Sequence, residues 1–264
     1  MIELNQTLLD NVKIIAEEAG QAILQIYQQD DFEVQIKRDQ SPLTQADLAS
    51  HQIIIEALNK LTPEIPILSE EGDKLEGDID TFWCVDPLDG TKEFIKKNGE
   101  FTVNIALIEN HQPVLGVIYV PVKNETFLAV KRKGAIKIKN NQIYKLPKQK
   151  NKTRQSPLFA VSRSHLNQQT EDFIERYQAK TIRVGSSLKL TMLAEGLADA
   201  YPRYGPTSIW DMAAGHAVLR ETGGEIFTLD LQPLVYNVKQ ILNSHLIAVR
   251  NKDSQFKLEE KYES

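Results

Sequence analysis

Thr81-Phe82-Trp83-Cys84-Val85-Asp86-Pro87-Leu88-Asp89-Gly90-Thr91 is an apolar run that drives into two carboxylates at the mouth of a glycine turn. Pro87 fixes its own φ and brings no backbone donor, so the strand is predicted to stop at Asp86, while Gly90 permits a left-handed turn. Asp86 and Asp89 can then face one pocket with the Leu88 carbonyl between them. A helix is predicted to begin near Thr91, with free N–H groups directed at the same pocket, where they suit a phosphate. Asp-Pro and Asp-Gly are also ordinary turn formers, and alone the motif reads as a surface turn.

That bland reading weakens when two further acidic sites are added. Glu70-Glu71 closes the apolar segment Ile65-Pro66-Ile67-Leu68, and Trp210-Asp211 opens a helix far downstream. Carboxylates gathered in a cleft repel one another unless cations or protons neutralise them. One metal centre is therefore expected, and its donors are all oxygens, which favours Mg²⁺ over zinc.

The 264 residues can bury roughly three quarters of their unfolded surface, enough for one large domain or two intimate halves. A balance of 31 basic and 36 acidic residues gives a net charge of −5, which disfavours a nucleic-acid polymer as a general partner. The single cysteine, Cys84, excludes an internal disulfide and fits a reducing cytoplasm; inside an apolar strand it reads as a small buried hydrophobe. No apolar run approaches the ~18 residues of a membrane span, and the start Met1-Ile2-Glu3-Leu4-Asn5 lacks a secretory pattern, so a cytoplasmic protein is expected.

Leu8, Val12, Ile15, Ala19, Ala22, Ile23 and Ile26 recur at helical spacing. Phe32, Val34 and Ile36 alternate as a strand, which Ser41-Pro42-Leu43-Thr44 is expected to break. Thr44 with Asp47 forms a capping box for a helix carrying Leu48, Ile55 and Leu58. Strands ending at Glu70 and Asp86 precede an antiparallel meander through Phe101 to Leu107, Val114 to Val120 and Thr126 to Val130. The stretch from 145 to 154 has several Lys and Arg and no acid; it reads as a solvated linker, with a polymer- or membrane-binding patch as the alternative. Beyond it, strands at Leu158 to Val161, Thr181 to Val184 and Asp199 to Tyr201 alternate with helices. The expected organisation is an N-terminal α+β half at 1–146, a linker at 147–156, a C-terminal α/β half at 157–250 and a fraying polar tail at 251–264.

Glu70-Glu71, Asp86 to Thr91, Trp210-Asp211 with Ala213-Ala214-Gly215, and Gly223-Gly224 resemble the inositol monophosphatase superfamily of Mg²⁺-dependent, lithium-sensitive phosphatases, across nearly the whole chain. Ser162-Arg163-Ser164-His165, Gly185-Ser186-Ser187-Leu188-Lys189, Tyr201 to Pro206 and Ala214-Gly215-His216-Ala217 resemble its bisphosphate nucleotidase branch. The resemblance implies an α+β fold, a layered α-β-α-β-α sandwich, and two or three Mg²⁺ ions. It also implies a small-molecule nucleotide substrate, adenosine 3′,5′-bisphosphate and with it the sulfated precursor, and leaves room for peripheral contact with the inner membrane. It says nothing of oligomeric state. Relatives that take inositol phosphates carry an acid where this chain has Tyr204, so a polyol is disfavoured, and an aromatic or basic wall suits a nucleotide.

By the same resemblance the ligands would be Glu70, Asp86, the Leu88 carbonyl, Asp89 and Asp211, with Thr91 and Glu70 orienting the attacking water. Asp47 would join a proton relay or an outer metal site; its other reading is a helix cap. Substrate contacts would come from Asp89, Gly90, Thr91, Ser162, His165, Gly185, Ser187, Lys189, Arg203 and Asp211. His165 reads equally as a helix cap, Lys189 follows a loop suited to the phosphate that is not cleaved, and His216 is expected to pack structurally. A broad inositol or sugar phosphatase and a non-catalytic nucleotide-binding regulator are the competing readings.

Overall fold

The computed structural model describes residues 3–29, 33–37, 42–147, 155–163 and 166–257. Two helices open the chain. α1 (Gln6–Tyr27) is capped by Asn5, whose side chain accepts from the Leu8 N–H at 2.9 Å, and it buries Leu8, Val12, Ile15, Ala19 and Ile23 on one stripe. A short hairpin follows, β1 (Val34–Ile36) paired with β2 (Pro42–Thr44). Pro42 therefore starts the return strand instead of ending the pairing, a first position where its missing donor is tolerated. Phe32 and Ser41 lie outside the described residues.

α2 (Gln45–Leu61) begins at the expected capping box, but its phase differs from the expected one. Leu48 is 46% exposed, and the inward positions are Asp47, Ser50, Ile54 and Leu58. The first inward turn is polar because it faces the acidic turn after Val85, where Ser50 Oγ donates to the Pro87 carbonyl at 2.6 Å.

β3 (Ile67–Ser69) lies parallel to β4 (Thr81–Asp89). β4 continues past Pro87, against expectation. Its register with β5 (Thr102–Glu109) jumps from Asp86↔Asn104 to Asp89↔Thr102, so the extra residue is absorbed as a bulge, where a missing Pro donor costs no ladder bond. After α3 (Thr91–Ile95), β5, β6 (Gln112–Val120), β7 (Glu125–Val130), β8 (Gly134–Lys139) and β9 (Gln142–Lys145) complete an antiparallel run in a seven-stranded sheet of order β3-β4-β5-β6-β7-β8-β9. β8 and β9 were not anticipated: Ile136 and Ile138 pack on the α1 and α2 side, but the opposite face of β8 buries a charge, Lys137, against Glu125 at 2.8 Å and Glu195 at 3.0 Å, beside the small Ala135, so the strand lacks the apolar character of its neighbours. Lys145 thus belongs to the sheet, while 148–154 of the supposed linker lie outside the described residues.

The second sheet has the order β11-β10-β12-β16-β14, from β10 (Leu158–Ser162), β11 (Lys180–Val184), β12 (Ala200–Arg203), β14 (Glu225–Thr228) and β16 (Leu246–Val249), with parallel pairing at β10 and antiparallel pairing at β16. A small pair, β13 (Thr207–Ser208) and β15 (Leu242–Asn243), stands beside α6 (Ile209–Arg220). α1 and α2 cover one face of the larger sheet through Trp83, Val85, Ile105 and Leu107. α5 (Leu188–Ala194) and α6 fill the space between the sheets, packing on Phe82, Cys84 and Ala106 on one side and Ala160, Tyr201 and Ala248 on the other. α4 (Gln168–Arg176) closes the far side over Phe159, Val161 and Ile247. This is the α-β-α-β-α sandwich. Each fully buried aliphatic or aromatic side chain contributes about 1.5–3 kcal/mol against exposure, and the middle core joins both halves of the chain.

Two local readings change or sharpen here. The tail does not fray from 251, because Phe256 packs its ring 5.0 Å from Phe159 and 5.1 Å from Tyr177; residues beyond 257 lie outside the described set. His216 is fully buried and touches the Tyr236 hydroxyl at 2.9 Å and the Glu225 carboxylate, a structural role as expected. Among the described residues no helix is long and apolar enough to cross a membrane.

Candidate active site

The bulge in β4 aims two carboxylates at one place. Leu88 N–H donates to Asp86 Oδ1 at 3.1 Å, which folds the chain back between the two aspartates. Gly90 then takes φ +98°, and a Cβ there would stand 2.9 Å from the Glu100 carbonyl oxygen, so both conformation and space require glycine. Asp89 Oδ2 is held by Ser187 Oγ at 2.7 Å and Asn104 Nδ2 at 3.2 Å, which ties β4 to the start of α5. Asp211 is the third residue of α6, and its Oδ2 accepts from the Ser208 N–H at 2.9 Å. Asp47 caps α2 through Thr44 N–H at 2.8 Å and Thr44 Oγ1 at 2.6 Å, and its other oxygen receives the Thr91 hydroxyl at 3.1 Å. Cap and site contact coexist in one side chain.

A cavity of about 630 Å³ gathers these groups. Glu70, Asp86, Leu88, Asp89, Gly90, Thr91 and Asp211 line it, and so do Ser162, Gly185, Ser187, Lys189 and Arg203. Asp47 stands behind Thr91, and His165 lies outside the described residues. Lys189 is buried, with its ammonium on the Ser186 carbonyl and 5.2 Å from the Tyr201 ring. The Ser187 hydroxyl is taken up by Asp89 and by the Asp211 carbonyl at 3.0 Å, so it acts on the acidic cluster itself.

The electrostatics are those of an unneutralised acid cluster. Burial pushes Asp86 well above the carboxylate range, and the charges of Glu70, Asp89 and Asp211 push the same way. Burial, with Asp89 and Glu70, raises Asp211 to about 8. Burial also raises Asp89 against the opposing pull of Lys189 and Ser187, and raises Asp47 against its bonds to Thr44 and Thr91. Lys189 is lowered by burial despite Asp89. Glu70 and Glu71 share the ammonium of Lys37, at 2.8 and 2.5 Å. Burial lifts Glu71 to about 7 in spite of that pairing.

Among the described residues no three acidic, His or Cys side chains are drawn into ligand geometry around a point. The donor set nonetheless fits a hard divalent cation: carboxylates and a carbonyl, no sulfur or imidazole, facing one cavity, with Asp86 and Asp211 raised in pKa by burial and by the neighbouring acids, a cost that a cation relieves.

Several residues escaped the sequence reading. Lys37 sits far from its partners in sequence and carries no motif. Asn104 did carry a signal, a lone amide inside the apolar run Val103-Asn104-Ile105, and its Oδ1 is buried without a protein partner. Ser186 adopts φ +45°, with its hydroxyl buried and unpartnered on the cavity wall. Tyr204 is 3% exposed, its ring between Phe173 and His245, so it offers a neutral wall rather than a free stacking face. The exposed apolar side chain on the wall is Leu242, at 58%.

A family model described as the inositol monophosphatase family matches residues 4–261. The 3′(2′),5′-bisphosphate nucleotidase CysQ of Escherichia coli K12 is 43% identical over 243 residues, covering 88% of this chain and 95% of that protein. The CysQ of Haemophilus influenzae is 35% identical over 256 residues, covering 94% and 95%. The crystal structure of CysQ from Bacteroides thetaiotaomicron, described as a bacterial member of the inositol monophosphatase family, superposes with a TM-score of 0.81 at 40% identity, covering 94% of this chain and 98% of that one. An inositol monophosphatase from Anabaena superposes at 0.73 and 26% identity, covering 94% and 91%.

Proposed function

The chain belongs to the inositol monophosphatase family, and from that premise we propose that it is a Mg²⁺-dependent 3′(2′),5′-bisphosphate nucleotidase. It hydrolyses adenosine 3′,5′-bisphosphate to AMP and phosphate, and takes the sulfated precursor as a second substrate. The observation that carries this reading is the meeting, in one cavity, of the acidic cluster with Lys189, Arg203 and the unpartnered Ser186 hydroxyl, next to a Tyr204 wall that offers no carboxylate to a polyol.

Glu70, Asp86, the Leu88 carbonyl, Asp89 and Asp211 would hold two or three Mg²⁺ ions. Bound there, the cations supply charge neutralisation for the phosphoryl oxygens and the leaving alkoxide and make water a better nucleophile. The protein's own groups do the rest. Thr91 donates its proton to Asp47 Oδ1, which turns its lone pairs toward the cavity, where they receive a proton of the attacking water. Asp47, raised by burial, is the proton's resting place beyond Thr91. Glu70 would orient the same water together with Thr91. Lys189, Arg203 and the Ser186 hydroxyl bind the phosphate that stays, with Gly185 leaving room for it, and Ser162 and His165 contact the nucleoside. Asp89, Gly90, Thr91 and Asp211 border the scissile phosphate.

The metal-bearing turn belongs to the 1–146 half and the anion contacts to the 157–250 half, so substrate spans the two. A free nucleotide suits a cavity of this size, and a buried Cys84 suits the cytoplasm. Phosphate release across adenosine 3′,5′-bisphosphate, its sulfated precursor, the 2′,5′ isomer, AMP and inositol 1-phosphate, with Mg²⁺ and with chelator, tests the reading. Bisphosphates should be preferred by a wide margin and turnover should stop in chelator. Equal kcat/KM for inositol 1-phosphate, or turnover without a divalent cation, would overturn it.

A further inference from the structure

Glu100 lies outside the acidic cluster, yet it holds together the loops that form both sides of the cavity. Arg163, just after β10, grips its carboxylate as a fork, Nε to Oε2 and Nη2 to Oε1, each at 2.7 Å, and the same Nη2 reaches the Arg183 carbonyl at 2.9 Å. Oε2 also accepts the Gly185 N–H at 2.8 Å. Its backbone carbonyl borders both glycines, 2.9 Å from where a Gly90 Cβ would stand and 3.0 Å from where a Gly185 Cβ would stand. The loop docked in this way carries three successive functions: Gly185 meets Glu100, the Ser186 carbonyl holds the Lys189 ammonium, and the Ser187 hydroxyl holds Asp89.

We propose that the Arg163–Glu100 pair is a positioning clamp that sets the Gly185–Lys189 loop against the Gly90 turn, and so fixes the distance between the cleaved phosphate and the phosphate that stays. The clamp rests on the anion-binding role assigned above to Lys189. Loosening it bears on binding more than on chemistry, because Asp89 keeps Asn104 when the loop shifts, whereas the Ser186 carbonyl that holds Lys189 moves with the loop. The fork is charge-assisted and bidentate, so lysine replaces only its charge.

The experiment combines backbone amide exchange with steady-state kinetics on the full chain carrying Glu100→Ala, Arg163→Ala or Arg163→Lys. Exchange across 185–189 should quicken in Glu100→Ala and in Arg163→Ala. KM for adenosine 3′,5′-bisphosphate should rise about ten-fold or more, the size of a coupled charged contact, with a smaller fall in kcat, and Arg163→Lys should recover part of the loss. Unchanged exchange in Glu100→Ala refutes the clamp whatever the substrate proves to be. So does an equal loss in all three variants that tracks the unfolding midpoint. A wild-type protein inactive on the bisphosphate refutes the substrate reading instead, and the exchange data still decide the clamp.

Discussion

Replacing Thr91 by valine keeps the shape of the side chain and deletes only the hydroxyl. That hydroxyl lies 3.1 Å from Asp47 Oδ1 and 3.4 Å from the Leu88 carbonyl. The sequence left open whether it merely caps the next helix, but the residue at the cap of α3 is Gly90, and no side chain caps that helix. Thr91→Val leaves Asp47 Oδ1 without its donor in a residue 2% exposed, which costs about 1–3 kcal/mol of stability. The chemical step should lose more. Removing a preorganised donor at a reacting centre costs on the order of 2.7–4 kcal/mol of activation energy, about 100- to 1,000-fold in kcat. KM should change little, because the lost contact matters in the transition state. Thr91→Ser retains the hydroxyl and should retain most of the activity. Phosphate release at saturating substrate and the denaturant midpoint of each variant separate the two costs. A valine variant with a lowered midpoint and wild-type kcat would refute the relay from water through Thr91 to Asp47.

Lys189→Met keeps the buried volume and removes the charge; KM for the bisphosphate should rise about 10- to 150-fold, as for a charged hydrogen bond, with a smaller change in kcat, and an unaltered KM would remove Lys189 from the anion site. For Asp86, Asp89 and Asp211 the folded pKa lies above the unfolded one, so the folded state binds more protons and these groups make stability fall as pH rises from the unfolded carboxylate range to about 8. The stabilisation by added Mg²⁺ should therefore be larger at pH 8 than at pH 5 in thermal melts, and the opposite order would contradict the cluster as cation site. Gly116→Ala would put a Cβ 2.5 Å from the Ala214 carbonyl and 2.7 Å from Ala217 Cβ, forcing α6 away from β6. It should cost about 1–3 kcal/mol and lower turnover through Asp211, the ligand proposed for α6; an unchanged denaturant midpoint would mean that the contact yields freely.

How much of this was legible depended on whether burial and polarity agreed. β5, β6 and β7 are apolar on both faces, because helices cover the sheet on both sides, and they lie where those bounded apolar runs put them. β8 was invisible because one of its faces buries Lys137, satisfied by two glutamates that are distant in sequence. α2 was read in the wrong phase because its inward face near the site is Asp47 and Ser50. Pro87 was read as a strand end because a bulge is a tertiary fact: only the partner register reveals it. The carboxylates were found from their places at the ends of apolar segments. Lys37, Asn104 and Glu100 were not, since their roles lie in partners that the fold brings together.

The clearest lesson of the site concerns cap against ligand, which the sequence posed as alternatives. Asp47 ties Oδ2 to Thr44, Asp211 ties Oδ2 to Ser208, Asp89 ties Oδ2 to Ser187 and Asn104, and Asp86 ties Oδ1 to Leu88. Each carboxylate spends at least one oxygen on the fold, and Asp47 spends both, the second on Thr91. The tied oxygen fixes the rotamer, so the side chain is already ordered when a cation or a water arrives, and little conformational entropy is then lost. These local donors do not compensate the burial of four acids, as the raised pKa values of all four attest. The remaining imbalance is what favours cation binding. A helix cap at Asp47 or Asp211 is thus compatible with the proposed site, and Ser208→Pro, which deletes the N–H that Asp211 accepts, should weaken cation binding in a calorimetric titration, whereas Ser208→Ala, which keeps that N–H, should weaken it less; equal affinity in both variants and wild type would refute the link.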